Sequence, residues 1–170
     1  MKLIALTIKA MVLTGLLVLA LPAAGRAGAE GSTVELTMSN FRYCAGQTCS
    51  PADQGYVRSE NGPVAGTDNP GAVVEVPEGA TVKWTYRDVG PGSCDSFQQC
   101  PGHNVRIEDN TAKGTGIGFT KSRSGAGVIS TTITQPAGTL IRYFCSVNEH
   151  YKLGMTGLLR VVPAGGGKTG

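Results

Sequence analysis

The sequence predicts an all-β sandwich. Glycine and proline are frequent, with 25 and 9 among 170 residues. Several short runs rich in β-branched residues are bounded by turn-forming residues, and no helical periodicity is sustained along the chain. Seven or so such strands are enough for two packed sheets.

The N-terminal segment, residues 1–29, predicts a secretory signal. It begins with Lys2 and Lys9, continues as an apolar run over 10–21 and ends in the small residues Ala-Gly-Ala at 27–29. The run is too short for a comfortable membrane span, and the segment has no cysteine to carry a lipid. We therefore expect an exported protein in the periplasm or another extracytoplasmic space. An uncleaved membrane anchor is the less favoured alternative.

Cleavage after Ala29 would remove three basic residues and leave 170 minus 29, or 141, residues. The 15 basic residues would become 12 against 12 acidic ones, so the formal charge of +3 would fall to zero. A neutral chain gives no global basis for binding nucleic acid or an anionic membrane. The length fits a single domain, which we place at residues 30–162, followed by a flexible tail at 163–170.

Seven segments are predicted as strands because each combines strand-forming residues with flanking turn residues. In chain order they are 33–38, 72–76, 81–86, 104–107, 128–134, 139–144 and 156–162. Trp84 lies on the third segment. A lone tryptophan on a sandwich strand is best explained as a core filler.

Two loop insertions are predicted within the domain, at 44–71 and 89–102. The first is dense in Ser, Pro, Asp, Asn and Gly, which indicates a long loop and not a second domain, and its residues suggest no function. The segment 111–127 is predicted to be another surface connection. Its glycine-rich part lacks the Gly-Lys-Ser/Thr ending of a phosphate-binding loop.

Candidate metal ligands lie close together near the C-terminus. Cys145, His150 and Met155 form a Cys-x4-His-x4-Met pattern that begins where a predicted strand ends, and the only other histidine is His103. A thiolate, two imidazoles and a weak axial thioether are the ligand set of an electron-transfer copper site. Zinc has no use for the thioether, so copper is the favoured ion.

This pattern resembles the cupredoxins, the blue copper proteins that include plastocyanin and azurin. The resemblance is carried by His103-Asn104, by Tyr-Phe-Cys at residues 143–145, and by the following His150 and Gly154-Met155. The gap between Cys145 and His150 is wider than in plastocyanin and closer to that of rusticyanin and auracyanin. The resemblance extends over about residues 73–162 and implies a Greek-key sandwich of seven to eight strands.

The resemblance also implies roles for individual residues. One copper ion, alternating between Cu(II) and Cu(I), would be bound by His103, Cys145, His150 and Met155. Asn104 would tie its strand to the Cys145 loop and donate a hydrogen bond towards the thiolate, with Ser146 as its partner.

Electron exchange is implied to occur at the surface beside His150. The ring edge of His150 would reach solvent there. Tyr151, Leu153 and Gly154 would form an apolar rim around it, suited to short-lived docking.

The cysteine count is odd, with five cysteines in a chain that we expect to be exported. Cys145 is the natural free thiol, because a metal would protect it in an oxidising compartment. The other four, Cys44, Cys49, Cys94 and Cys100, allow three disulfide pairings. We favour Cys44–Cys49 and Cys94–Cys100; parallel flanking strands, implied by the resemblance, would keep cross-links between the two loops open.

The sequence thus predicts an electron carrier and not an enzyme. It would act as a monomer, through transient contacts with redox partners such as a cytochrome or a terminal reductase or oxidase. The alternative is an extracytoplasmic protein for copper delivery or storage. Enzymatic copper chemistry would need further histidines for a second centre, and the chain has two in total.

Overall fold

The computed structural model describes residues 31–66, 73–87, 102–109, 113–120 and 127–165. Eleven strands lie within these ranges. They are β1 (Thr33–Ser39), β2 (Arg42–Cys44), β3 (Arg58–Ser59), β4 (Gly62–Pro63), β5 (Val73–Pro77), β6 (Thr81–Tyr86), β7 (His103–Ile107), β8 (Thr115–Thr120), β9 (Val128–Thr132), β10 (Leu140–Phe144) and β11 (Thr156–Val162). The predicted signal segment 1–29, nearly all of the insertion 89–102 and the end of the tail at 166–170 lie outside the described residues.

The strands form two large sheets and one small hairpin. One sheet has the order β2-β1-β6-β9, the other has the order β5-β11-β10-β7-β8, and β3 pairs with β4. The pairs β1–β6 and β5–β11 are parallel, and the other pairs are antiparallel. The predicted all-β sandwich is confirmed, with more strands than the seven to eight expected.

The hydrophobic core lies between the two large sheets. Along β6, the side chains of Val82, Trp84 and Tyr86 are buried while the alternate residues are partly exposed, which is the period of two that a half-buried strand requires. The ring of Trp84 meets the ring of Tyr143 from the opposite sheet, with centroids 5.5 Å apart. Trp84 is therefore the core filler that the sequence predicts.

The surface connection predicted at 111–127 is partly wrong, because it contains strand β8. β8 pairs antiparallel with β7, with a register irregularity between Val105 and Arg106. The glycines of this segment argued against a strand. Packing explains the glycine at 118, because a Cβ there would lie 2.8 Å from Cγ2 of Ile129. Glycine at this point lets β8 approach β9 of the other sheet.

Strand β2 was also missed, because it is short and follows a two-residue turn. Ser39 pairs with Arg42, and the turn residues Asn40 and Phe41 have φ of 51° and 60°. Positive φ at both central residues is the type I′ geometry, whose twist matches that of the flanking strands. Phenylalanine rarely adopts this geometry, and here it brings the Phe41 ring against the rings of His103 and His150.

The segment 44–66 is more ordered than the long loop predicted. It contains a short 3-10 helix, Pro51–Asp53, and the β3–β4 hairpin, and it begins with a disulfide between Cys44 and Cys49. The favoured Cys44–Cys49 pairing is confirmed, so cross-links from these two cysteines to the second loop are wrong. Cys94 and Cys100 lie outside the described residues, and their pairing stays a prediction.

Within the described ranges, no helix is both long enough and apolar enough to cross a membrane. The longest helical segment there is a run of 3-10 turns, Val147–Leu153, between β10 and β11.

Two leucines on the paired strands β10 and β11 test the core assignment. Leu159 is 1% exposed and Leu140 is 42% exposed. We expect Leu159→Ala to lower the free energy of unfolding by about 2–5 kcal/mol, because it removes apolar contacts and leaves a cavity. Leu140→Ala should change it by less than about 0.5 kcal/mol. Urea denaturation measures both, and similar costs for the two variants would contradict the assignment.

Candidate metal centre

Three buried side chains of the kinds that bind soft or borderline metals converge at one end of the sandwich. They are His103, Cys145 and His150, whose potential ligand atoms all lie within 4.8 Å of one another. Both histidines turn Nδ1 towards the cluster. Cys145 Sγ lies 4.0 Å from Nδ1 of His103 and 3.5 Å from Nδ1 of His150, and the two Nδ1 atoms are 3.1 Å apart.

The cluster has the dimensions of a metal site. Metal–nitrogen bonds of about 2.0–2.1 Å and metal–sulfur bonds of about 2.3 Å place neighbouring donors roughly 3.3–3.8 Å apart at tetrahedral to trigonal angles. The three observed separations bracket that range. The donor set therefore fits a single metal ion with little movement of the side chains.

Strand pairing brings two of the donors together across a long sequence distance. β7 and β10 are antiparallel, with Phe144 opposite Arg106, so the start of β7 lies beside the end of β10. His103 is the first residue of β7, one residue earlier than the strand predicted there, and Cys145 directly follows β10. Both donors thus extend from rigid, hydrogen-bonded strands.

Asn104 connects the start of β7 to the residues around Cys145. Its backbone N–H donates to Cys145 Sγ at 3.4 Å. Its side chain donates from Nδ2 to Ser146 Oγ at 2.9 Å, and its Oδ1 accepts from the Ser146 backbone N–H at 2.8 Å. These hydrogen bonds link the start of β7 to the chain around Cys145 and restrict the position of its sulfur.

Tyr43, on β2, also helps to hold Asn104 in place. Its hydroxyl donates to the Asn104 carbonyl oxygen at 2.5 Å. Burial raises the pKa of Tyr43 well above its usual value, and the nearby Cys145 raises it further. The hydroxyl therefore stays protonated and continues to donate its hydrogen bond.

Aromatic rings enclose the two histidines. Phe41 meets His150 edge-on with centroids 4.9 Å apart, and it meets His103 at 6.1 Å. The ring of Tyr86 also packs against His103, with centroids 5.0 Å apart. The left-handed backbone at Phe41 thus places its ring against both histidines. A strained backbone conformation of this kind persists only where the surrounding contacts compensate for its cost.

The loop that bears Cys145, His150 and Met155 is closed by its own backbone. The N–H of Cys145 donates to the carbonyl of Met155, and the N–H of Met155 donates to the carbonyl of His150. Met155 is fully buried in the same apolar cluster as Cys145. Asn148 and Glu149 have φ of 41° and 59°, so the chain makes a left-handed turn between Cys145 and His150.

The implied apolar rim is smaller than expected. Tyr151 and Gly154 are buried, and only Leu153 is exposed. The neighbouring charges pair with each other: Lys152 Nζ lies 2.8 Å from Glu149 and 3.4 Å from Glu60. The hydrogen bond that Lys152 donates to the Glu149 carboxylate is the main cause that raises the pKa of Lys152.

Two packed β-sheets now carry a thiol and two imidazoles at one end, with an asparagine linking the two ligand-bearing strands. The chain resembles a cupredoxin.

Comparison with solved structures finds similar chains of this kind. The reduced auracyanin of the photosynthetic bacterium Roseiflexus castenholzii matches with 18% identity and a TM-score of 0.42, over 79% of this chain and 99% of that one. Rusticyanin from Thiobacillus ferrooxidans matches with 23% identity and a TM-score of 0.38, over 78% and 79%. A purple cupredoxin from Nitrosopumilus maritimus matches with 17% identity and a TM-score of 0.36, over 61% and 92%.

All three TM-scores are below 0.5. No family model and no curated protein matches the sequence. The assignment of the site therefore depends on the donor atoms, their separations and their burial in this chain.

Sequence reasoning missed Phe41 and Tyr43 at this site. Both lie on the β1–β2 hairpin, about sixty residues before His103. An Asn-Phe pair between two strand-like runs was the only available signal, because asparagine tolerates positive φ in a hairpin turn.

Asn104 can be tested against an exposed asparagine. Asn104→Ala should lower the free energy of unfolding of the metal-free protein by about 1–3 kcal/mol, because two part-buried hydrogen bonds to Ser146 are lost. Asn61 lies at the exposed turn between β3 and β4, and Asn61→Ala should cost less than about 0.5 kcal/mol. Equal costs in chemical denaturation would show that the Asn104 bridge contributes nothing.

Proposed function

We propose that this chain is an exported type 1 copper protein that carries single electrons between redox partners. Copper would be bound by His103, Cys145 and His150, with Met155 as a weak axial ligand. The bound ion supplies a one-electron couple between Cu(II) and Cu(I). The observation that carries the proposal is the buried convergence of one thiol and two imidazole nitrogens.

The donor chemistry favours copper over zinc. A thiolate suits Cu(I), and imidazole is acceptable to both oxidation states of copper. The thioether of Met155 is buried on the same loop, tied through its backbone to Cys145 and His150. Structural zinc sites use four strong ligands, and catalytic ones keep a position for water, so neither kind explains a buried methionine at this place.

Enclosure and rigidity suit electron transfer. His103 and Cys145 are buried, and the hydrogen bonds of Asn104 and of the loop backbone fix the positions of the donors. Side chains that cannot rearrange would present one compromise geometry to both oxidation states. The energy needed to reorganise the site on each transfer would then be small.

Electrons would enter and leave beside His150. This residue is 4% exposed, which is less than the resemblance implied for its ring edge, whereas His103 is completely buried. Leu153 supplies an exposed apolar contact on the same loop, and Glu149 and Lys152 lie beside it as a paired, solvated couple. A small surface of this kind suits a transient contact with a redox protein.

Copper delivery or storage is the second candidate function. Delivery requires ligands that a recipient can displace one at a time. Here the donors come from two separate strands and a closed loop, and aromatic rings cover both histidines. That arrangement favours retention of the ion over exchange.

Adding Cu(II) to the exported protein tests the proposal. We expect an intense blue band from thiolate-to-copper charge transfer and a narrow copper hyperfine splitting in the electron paramagnetic resonance spectrum. Cys145→Ser should abolish the band, because the oxygen ligand cannot replace the soft sulfur. Zn(II)-loaded protein, which has a filled d shell, is the colourless control. A colourless Cu(II) form, or a weak band indifferent to Cys145→Ser, would overturn the proposal and favour copper handling.

A further inference from the structure

The insertion after Cys44 packs directly on the candidate ligand loop. The N–H of Gly55 donates to the carbonyl of Gly154, and the hydroxyl of Thr156 donates to the carbonyl of Tyr56 at 2.7 Å. A Cβ on Gly154 would collide with the side chain of Gln54. The insertion therefore meets the chain immediately before and after Met155.

Arg58 extends from this insertion into the protein and is almost completely enclosed. Its side chain is 2% exposed, and its Nε donates to the Glu108 carboxylate at 2.7 Å, where Glu108 is 12% exposed. The guanidinium carbon lies 3.6 Å from the centroid of the Phe144 ring and 5.1 Å from that of Tyr151. One cation thus joins a carboxylate and two aromatic faces.

The partners of Arg58 lie beside two of the candidate ligands in the sequence and beyond the strand that bears a third. Phe144 directly precedes Cys145, and Tyr151 directly follows His150. Glu108 lies one residue beyond the end of β7, the strand that begins at His103.

Tyr56 completes the arrangement. Its hydroxyl lies 2.9 Å from Glu108 Oε1 and 3.2 Å from the Tyr143 carbonyl oxygen, so it reaches both β10 and the end of β7. Burial, and then the charge of Glu108, raise the pKa of Tyr56, which keeps its hydroxyl protonated as a donor. Its own carbonyl accepts from Thr156, the residue after Met155.

We propose that residues 54–58 form a clasp in which Arg58 and Tyr56 are positioning residues for the metal site. The clasp contacts sequence neighbours of Cys145, His150 and Met155 from outside the donor cluster, and through Glu108 it reaches the end of the strand that begins at His103. It would hold the ligand loop in its binding geometry before any metal arrives. The inference deepens the proposed copper function, because a prearranged site is one that resists reorganisation during electron transfer.

The buried ion pair between Arg58 and Glu108 restricts the geometry of the clasp. A carboxylate and a guanidinium removed from water are stable only in a geometry that satisfies both, so the ion pair with Glu108 fixes the guanidinium of Arg58 against the ring of Tyr151 on the ligand loop. The planar guanidinium also stacks on rings in a way that an ammonium does not reproduce. The loop therefore has one favoured position against the insertion.

Amide hydrogen exchange in the metal-free protein tests the clasp independently of copper. Arg58→Met should accelerate exchange of the Tyr151 and Met155 amides about tenfold or more, since it removes the ion pair and the ring stacking. These two amides donate to the carbonyls of Cys145 and His150 within the loop. Amides of β6, in the other sheet, should keep their rates. Arg58→Lys should recover part of the protection.

Lys83→Met is the matched control, because it breaks an ion pair with Glu35 that is exposed on the other sheet. It should leave the loop amides unchanged. If Arg58→Met accelerates all amides equally, the residue has only a general structural role and the clasp is wrong. If Arg58→Met does not fold, Tyr56→Phe removes only the hydroxyl, and unchanged loop exchange in that variant would likewise overturn the clasp.

Copper release separates the clasp from the proposed function. Transfer of Cu(II) from Arg58→Met to a chelator should be about tenfold faster than from the Lys83→Met control. A wild-type protein without the thiolate band would refute the copper function whatever the exchange data show. A normal band combined with unchanged release and unchanged loop exchange would refute the clasp alone.

Discussion

The pairing of β7 with β10 is the constraint on which the candidate metal centre depends. It brings the start of one strand beside the end of the other, so His103 and Cys145 meet although 42 residues separate them. Asn104 then bonds the end of this pairing to Ser146 and to the sulfur itself. The three donors converge in a buried site because this junction keeps the two strands together. The closed loop that starts at Cys145 then positions His150 and Met155.

Backbone strain is concentrated around this junction. Four residues other than glycine have left-handed φ among those the structure describes, and they are Asn40, Phe41, Asn148 and Glu149. The first pair carries the ring of Phe41 onto both histidines, and the second pair turns the chain between Cys145 and His150. Each such residue costs of order 1–3 kcal/mol, so the surrounding contacts must compensate for it. The segment 54–58 supplies such contacts to the ligand loop, at Tyr151, Gly154 and Thr156.

Much of the architecture could be predicted from local pattern. The predicted strands appear with bounds that differ by at most two residues, because β-branched runs between turn residues are a short-range signal. The candidate donors could be named because chemistry restricts which residues bind copper, and the chain has only two histidines. Strand β8 was missed because Gly118 is required by its packing against Ile129 on another strand, and no local sequence pattern shows that contact. The role of Arg58 was missed for the same reason, since its carboxylate partner, Glu108, lies fifty residues away in the sequence.

The central claim is that the protein, and not the metal, assembles the donor set. Its most direct test is a high-resolution crystal structure of the metal-free protein, compared with the Cu(II) and Cu(I) forms. The account predicts that Nδ1 of His103, Nδ1 of His150 and Sγ of Cys145 stay within 4.8 Å of one another in all three forms. A metal-free structure in which either histidine ring turns away, or the 146–155 loop takes another course, would show that the metal builds the site and would contradict the account.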